Sequence, residues 1–349
     1  MTTTAVPAIE YREVRAEQLP DEQLIPDIAD LIKRYVVLPS DDHALVLALW
    51  VLHTWTFEQS RTTPYIYVHS ADKQSGKTRL IEVLEILVRN PMRATSVTPS
   101  VMFRAIDTLR PTVLLDEVDT IWAGSRNEIM RNILNGGYRV GGHVWRIQSQ
   151  QPRQYNTFCP KLLAGIYNGF MPDTIQDRCI PVRMKRKEKK QTCEPFYAMN
   201  VAGSLEVEDL LMRIEKFVKD FSRELAYQRP EPSTAISDRQ WEITEPLVAL
   251  GCVFGAEARV RRACLAMFQD VKESPSLKTV LLGDIKRAFG GRERMFTDDI
   301  VRSLGGAWNG KLLSIWLAPY GIAPRQIRVG NQTGKGYKAD QFDGVWEAT

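Results

Sequence analysis

The chain has no paired cysteines, no histidine cluster and no apolar run long enough to cross a bilayer. Its five cysteines (Cys159, Cys179, Cys193, Cys252 and Cys264) form no C-x-x-C pair, and its four histidines stand far apart. This usage argues against a disulfide framework or a zinc site and fits a reducing cytoplasm. The longest apolar run, ALVLALWVL at 44–52, falls well short of the ~20 residues a membrane helix needs. Ser40, Asp41 and Asp42 precede it with the chemistry of an N-cap and an acidic first turn, so a buried core helix is expected there. The N-terminal MTTTAVPAIEYREV lacks the basic-then-apolar order of a secretory leader. Neither a membrane partner nor export is expected. Internal repeats and low-complexity tracts are absent as well.

What remains is an ordinary globular composition. The 349 residues are 44% hydrophobic and 25% charged, enough for two or three domains with a proper core. The net charge of +4 permits nucleic-acid binding without requiring it.

Residues 1–24, with Pro7 and Pro20, read as an extended arm, and helical periodicity covers 24–38 and 41–56. From 64 onward short apolar runs alternate with helices. Strands are expected at 64–70, 93–98, 112–117, 161–168 and 179–185, with helices at 78–90, 100–109 and 126–135. That alternation predicts a parallel sheet with helices on both faces. GHVWRIQSQQPRQYNTF (142–158) reads as a hairpin, and Gly136-Gly137 before it as a helix stop. Residues 205–228 and 237–270 are helical by period, and 278–349 reads as three helices and a hairpin. The run RMKRKEKK (183–190) reads as a solvated linker.

HSADKQSGKTRL (69–80) approaches the phosphate-binding pattern G-x-x-x-x-G-K-[ST], with Ala71 in place of the first glycine. Such a loop works because successive backbone N–H groups and a helix N-terminus converge on phosphate oxygens. Lysine then adds charge at the β/γ-phosphates, and Ser/Thr binds Mg²⁺. Alanine at the start of the turn strains it slightly and leaves the cradle possible. Lys73, Gln74, Ser75, Gly76, Lys77 and Thr78 are therefore the expected nucleotide contacts. The apolar strand TVLLDEVD (112–119) ends in Asp116-Glu117. Asp116 is expected to hold Mg²⁺ through water beside Thr78, and Glu117 to act as the base that polarises an attacking water. ATP with Mg²⁺ is the expected cofactor.

The Asp-Glu pair, a later strand with a polar end and a downstream Asp-Arg resemble an AAA+ ATPase. That resemblance implies that Asn168, ending KLLAGIYN, is a sensor residue. It implies that Arg178, in MPDTIQDRCIPV, is an arginine finger acting on a neighbouring subunit. It also implies that Arg239, in SDRQWEITEPLVAL, is the arginine of a helical lid. Read from the residues alone, Asn168 is also a strand-end cap and Arg178 also a surface ion pair, while Arg259, Arg261 and Arg262 compete with Arg239. The phrases LLDEVD, ILNGGYR, AGIYNGFMPDTIQDR, DRQWEITEPLVALG and LLGDIKRAF look most like a little-characterised, helicase-like ATPase family of phages, prophages and integrative elements. Its members often stand behind primase-polymerase domains. The likeness spans roughly 25–349 and departs at Ala71 and in the lack of a preceding primase domain. The chain then works either alone or with a separate primase or polymerase.

A finger acting in trans implies a ring, and the family expectation is a hexamer. The hairpin at 142–158 would then reach DNA through Arg146 and Arg153, with Gly141-Gly142 letting it tilt. The C-terminal segment resembles a winged helix, its wing carrying Arg325, Arg328, Lys335 and Lys338. Winged helices also dock proteins, so the wing alone does not decide.

The expected fold is α/β: an arm (1–24), an AAA+ parallel-sheet P-loop core (25–192), a helical lid (193–275) and a winged-helix domain (276–349). The expected function is an ATP-driven ring that moves on single-stranded or forked DNA, a replicative helicase of a phage or mobile element. A loader or remodeller of another helicase is the alternative among enzymes. A nucleotide-gated DNA-binding factor is the alternative outside them, and Glu117 and Arg178 argue against it because binding alone needs neither.

Overall fold

Burial on both faces is what a parallel sheet demands of its central strands, and the apolar runs supply it. The computed structural model describes residues 19–70, 74–118, 128–166, 171–272, 277–305 and 308–346. Its main sheet has five parallel strands: β1 (Tyr65–Ser70), β2 (Pro91–Ala94), β3 (Thr112–Leu115), β6 (Lys161–Ile166) and β7 (Cys179–Arg183). They lie in the order β2-β3-β6-β1-β7. β1 and β3 are buried along their whole length. The chain leaves β1 toward β2 on one side and leaves β6 toward β7 on the other. Open α/β sheets bind ligands at the carboxyl ends of strands where the direction switches in this way.

Two further strands, β4 (His143–Gln148) and β5 (Gln151–Asn156), form a separate antiparallel hairpin. Between the strands run α3 (Lys77–Leu87), α4 (Pro99–Leu109), α5 (Glu128–Gly136) and the short α6 (Asp173–Gln176).

α1 (Leu24–Tyr35) is amphipathic, whereas α2 (Asp41–Thr56) is apolar all round and buried from His43 through Thr54. A helix of that kind must be covered on every side. Its cover is α1, α8 (Leu205–Tyr227), α9 (Asp238–Val253) and α10 (Glu257–Lys272). Ser40 stands at the N-cap position as expected. Its Oγ, however, bonds His43 Nδ1 at 2.8 Å instead of a backbone N–H. α10 also packs on β7, so one buried cluster runs from Leu24 to Phe268. The short helix α7 (Ala198–Ala202) precedes α8.

The periodic stretch 237–270 is two helices, not one. Gly255 takes φ +64° between them, and Gly251 lies so close to Val260 that a Cβ would sit 2.8 Å from its side chain.

The C-terminal segment carries α11 (Leu277–Phe289), α12 (Thr297–Leu304), α13 (Gly310–Leu317) and α14 (Asp343–Trp346). Its strands β8 (Arg294–Phe296), β9 (Arg325–Val329) and β10 (Gln332–Lys338) form an antiparallel sheet in the order β8-β10-β9. The three-residue strand β8 carries too little pattern to be read from sequence. A second buried cluster includes Leu281, Phe289, Ile300, Leu313, Tyr337 and Phe342. Among the described residues, no helix is long and apolar enough to cross a membrane.

The base of the β4–β5 hairpin is pinned rather than free to tilt. Gly141 is open, with φ +84°, but a Cβ on Gly142 would lie 2.0 Å from the Gly136 carbonyl oxygen. Gly137 is equally confined, since a Cβ there would lie 2.3 Å from Thr157 O. Lys161 closes the same junction. It is fully buried and donates to the carbonyls of Gly137 (3.2 Å), Thr157 (3.0 Å) and Cys159 (3.0 Å). Its ammonium also stands 4.7 Å from the centre of the Tyr65 ring. Burial pulls its pKa below the ordinary lysine value, with Cys159 acting in the opposite direction.

Lys161→Met would keep the apolar stem and leave the Thr157 and Cys159 carbonyls without the ammonium, while Gly137 O keeps the Cys159 N–H at 3.3 Å. A loss of about 3 kcal/mol is expected from unmet acceptors alone, lowering the melting temperature by several degrees. Thermal denaturation checks this, and a melting curve like that of the wild type would show that the carbonyls find other donors.

Candidate functional site

Gly76 stands at the N-cap of α3 with φ +87°, a conformation that L side chains rarely adopt. Space is not the constraint, because a Cβ there would only touch Met184 at 3.6 Å. Glycine is needed for the backbone turn that aims the first amides of α3 off the end of β1. Lys77 Nζ donates to Ser70 Oγ at 2.6 Å and to Ser75 Oγ at 3.3 Å, so its ammonium folds back over the loop. Thr78 Oγ1 donates to Asp116 Oδ2 at 3.0 Å, joining the start of α3 to the end of β3. The buried Asp116 also accepts the Glu117 N–H at 2.9 Å. Glu117 is exposed and takes φ +55°.

This set fits nucleotide phosphate with a hard cation. Lysine and helix amides suit the phosphates, and a hydroxyl beside a carboxylate suits Mg²⁺, which keeps phosphate and water as further ligands. Among the described residues, no group of three or more His, Cys, Asp or Glu that could hold a metal is present. Ala71 and Lys73 lie outside the described residues, as does Asn168, which follows β6 between β1 and β3 in the sheet.

A cavity of about 520 Å³ opens beside Gln74, Ser75 and Gly76. Its other walls include Val36, Tyr35 and Phe196. Tyr35 and Phe196 meet edge to face at 5.1 Å, and the Arg79 guanidinium lies 4.8 Å from the Phe196 ring centre. Its size and aromatic walls suit a base and ribose. Sequence reading missed this cavity, and two lysines from the supposed linker, Lys185 and Lys187, also line it.

Arg178 and Arg239 lie together at the opposite end of the sheet. The Arg178 carbonyl accepts the N–H of Tyr65, the first residue of β1, at 3.1 Å. Its side chain donates Nε to Asn135 O at 3.0 Å and Nη1 to Thr174 O, with the guanidinium 4.8 Å from the Tyr138 ring centre. Arg239 approaches the same ring at 5.3 Å and donates to Tyr138 Oη and to Glu242. Arg178 is thus bonded to carbonyls and a ring, with no ion pair among the described residues.

In the hairpin, Arg146 and Arg153 are directly opposite one another. They share a face with the buried Val144 and Tyr155, turned toward α4. Arg146 lies 5.3 Å from the Phe103 ring centre, and Arg153 is 3.7 Å from the Asp107 carboxylate. Trp145 and Ile147 hold the other face, 59% and 72% exposed. The β9–β10 register likewise divides its cations. Arg328 shares a face with Thr333 and Lys335, whereas Arg325 and Lys338 lie on the other with buried Ile327. A groove of about 980 Å³ beside β10 has mixed charge, with Lys311, Lys335, Asp298 and Asp299 in its walls.

Residues 183–348 match a protein family described as "Protein of unknown function (DUF3631)". The match begins at the last residue of β7, after the loop and after Asp116. A curated relative, "Uncharacterized 28.9 kDa protein in xis 5'region" of Saccharopolyspora erythraea, is 28% identical over 136 residues, 34% of this chain and 52% of the relative. The chain thus spans about half the length of the curated relative it matches.

Proposed function

We propose that the protein is an AAA+ ATP hydrolase of a phage or mobile element that assembles as a ring, with a winged-helix domain at its C-terminal end, and translocates on DNA as a replicative helicase. One observation carries the nucleotide reading. Thr78 and Asp116, from the first turn of α3 and the end of β3, are hydrogen-bonded at 3.0 Å beside Lys77 and the left-handed Gly76. The relative's place in a xis region supports a mobile-element setting. The likeness quoted above supports the ring, and the exposed Arg325, Arg328 and Lys335 of β9 and β10 support DNA contact.

ATP with Mg²⁺ supplies the phosphoanhydride and a charge-neutralising cation. The amides of Gly76, Lys77 and Thr78 orient the phosphates, and the Lys77 ammonium offsets their charge. Thr78 Oγ1 and Asp116 hold the cation. The Glu117 carboxylate takes a proton from the attacking water, and its exposure leaves it open to that water. Tyr35 and Phe196 receive the base in the adjoining cavity.

The test is ATP hydrolysis with and without single-stranded DNA, together with strand displacement on a forked duplex. Stimulation by DNA and ATP-dependent displacement are expected. Stimulation by a partner protein alone would indicate a loader, and hydrolysis absent under every condition would overturn the reading.

Glu117→Gln keeps the shape and removes the base, so it should bind nucleotide normally and lose roughly 10²–10⁴-fold in turnover. Fluorescent-nucleotide titration beside a phosphate-release assay separates the two effects. Unchanged turnover would assign the base to another acid.

Arg328→Glu with Lys335→Glu reverses two cations on one face of the C-terminal sheet. DNA affinity should fall, and its salt dependence should flatten by about two units of log–log slope. A salt titration of binding checks this, and an unaltered slope would remove that face from the DNA contact.

A further inference from the structure

The distance along β1 separates two groups of basic residues. Ser70 ends the strand on the loop side, where the Lys77 ammonium reaches its hydroxyl. Tyr65 begins it, and its N–H is bonded to the Arg178 carbonyl. At about 3.3 Å per residue the two ends stand roughly 15–20 Å apart. A guanidinium at the Tyr65 end does not span that gap, so Arg178 cannot serve the loop of its own chain. The Arg239 guanidinium is turned toward that same end and rests on Tyr138 beside Arg178, although the residue also lines a cavity of about 280 Å³ with Tyr67 and His69 of β1.

Three guanidinia gather on that one ring. Arg178, Arg239 and Arg139 lie 4.8, 5.3 and 5.8 Å from its centre. Tyr138 is itself 5% exposed and is fixed by its carbonyl, which accepts the Thr63 N–H at 2.7 Å. Among the described residues the three cations share one paired carboxylate, Glu242, which is bonded to Arg139 and Arg239. The cluster therefore holds surplus positive charge. It is also accessible, since the side chains of Arg239 and Arg139 are 40% and 58% exposed. An exposed site with more guanidinium than carboxylate suits a polyphosphate.

We infer that Arg239 acts together with Arg178 on the nucleotide held by a second copy of this chain, and not on the nucleotide of its own loop. The two arginines form one contact with the neighbour's phosphates, and α9, which carries Arg239, follows the neighbour's nucleotide state directly. The inference rests on the ATPase reading above.

Two measurements test it. In the first, each variant is titrated with a fluorescent non-hydrolysable ATP analogue at a dilution where the chain is a single copy. Arg239→Gln should bind as the wild type does, and ATP-driven assembly measured by light scattering at higher concentration should be weakened. A tenfold or greater loss of single-copy affinity would overturn the inference, because it would mean that Arg239 serves its own loop. Arg239→Lys, which keeps the charge, guards against a folding defect. It should melt like the wild type and keep the same single-copy affinity.

In the second, Arg239→Gln is mixed with Lys77→Ala, and Arg178→Ala with Lys77→Ala as the reference. In a random equimolar ring about one interface in four pairs an intact loop with intact arginines, so hydrolysis should return to that order in both mixtures. The double variant Arg178→Ala/Arg239→Gln should complement Lys77→Ala equally well, since both faults lie on one side of the interface. Recovery with Arg178→Ala but not with Arg239→Gln would overturn the inference and leave the ring reading standing. Failure of both mixtures to recover, in assemblies shown by light scattering to form, would overturn the inference along with the trans finger. A wild-type chain that binds no nucleotide would overturn the ATPase reading itself.

Discussion

Lys77→Ala should abolish ATP hydrolysis and reduce nucleotide affinity by at least ten- to a hundredfold. The ammonium lies within 2.6 Å of Ser70 Oγ and 3.3 Å of Ser75 Oγ, over the loop where phosphates would be held. A charge-assisted hydrogen bond contributes about 1.5–3 kcal/mol to binding, which sets the loss in affinity. Hydrolysis suffers more because negative charge moves onto the leaving phosphate oxygens as the bond breaks. Lys77 belongs to neither buried cluster, so the melting temperature should change little. Calorimetric titration with ATP and a phosphate-release assay measure the two effects. Near-normal affinity would mean that the turn at Gly76 serves some other purpose.

Arg178→Ala should cost about a thousandfold or more in turnover while each subunit still binds ATP. The side chain also has local duties, bonding Asn135 O and Thr174 O and stacking on Tyr138. Deleting it leaves two carbonyls short of a donor, which costs about 1–3 kcal/mol each if water does not replace it. The two roles part on one comparison. A structural arginine loses activity in step with stability, whereas a transition-state arginine loses turnover at temperatures where the variant is fully folded. Melting curves beside initial rates decide between them.

The parallel sheet was legible because its strands are apolar runs bounded by helices with clear periodicity, and α2 because its run is apolar on every side. The junction of Thr78 with Asp116 follows from two motifs that each end a strand. Other features had no such signature. The cavity beside the loop draws Tyr35 and Val36, Arg79, and the stretch around Phe196 from three separate regions, none with a pattern of its own. The split near Gly255 was hidden because apolar periodicity continues across the turn. Strand alternation did contain the facing of the hairpin arginines, since Arg146 and Arg153 fall in step with apolar Val144 and Tyr155. Charge drew attention to the arginines, and the exposed Trp145 beside them went unremarked. Gly142 looked like a source of freedom, but close packing on Gly136 makes it a point of attachment.

The continuous core from Leu24 to Phe268 has a bearing on how the chain divides. α8, α9 and α10 lie within the span that matches the family of unknown function, yet they bury their apolar faces on α2, which lies outside it. A cut at residue 183 would uncover Leu247, Leu250, Val260 and Met267, each fully buried in the intact chain. The family match therefore begins in the middle of one continuous buried core. Among the described residues of that span, the cluster from Leu281 to Phe342 forms a separate interior. A fragment that began at the edge of the match would carry that small unit together with three helices lacking the surface they need to fold against.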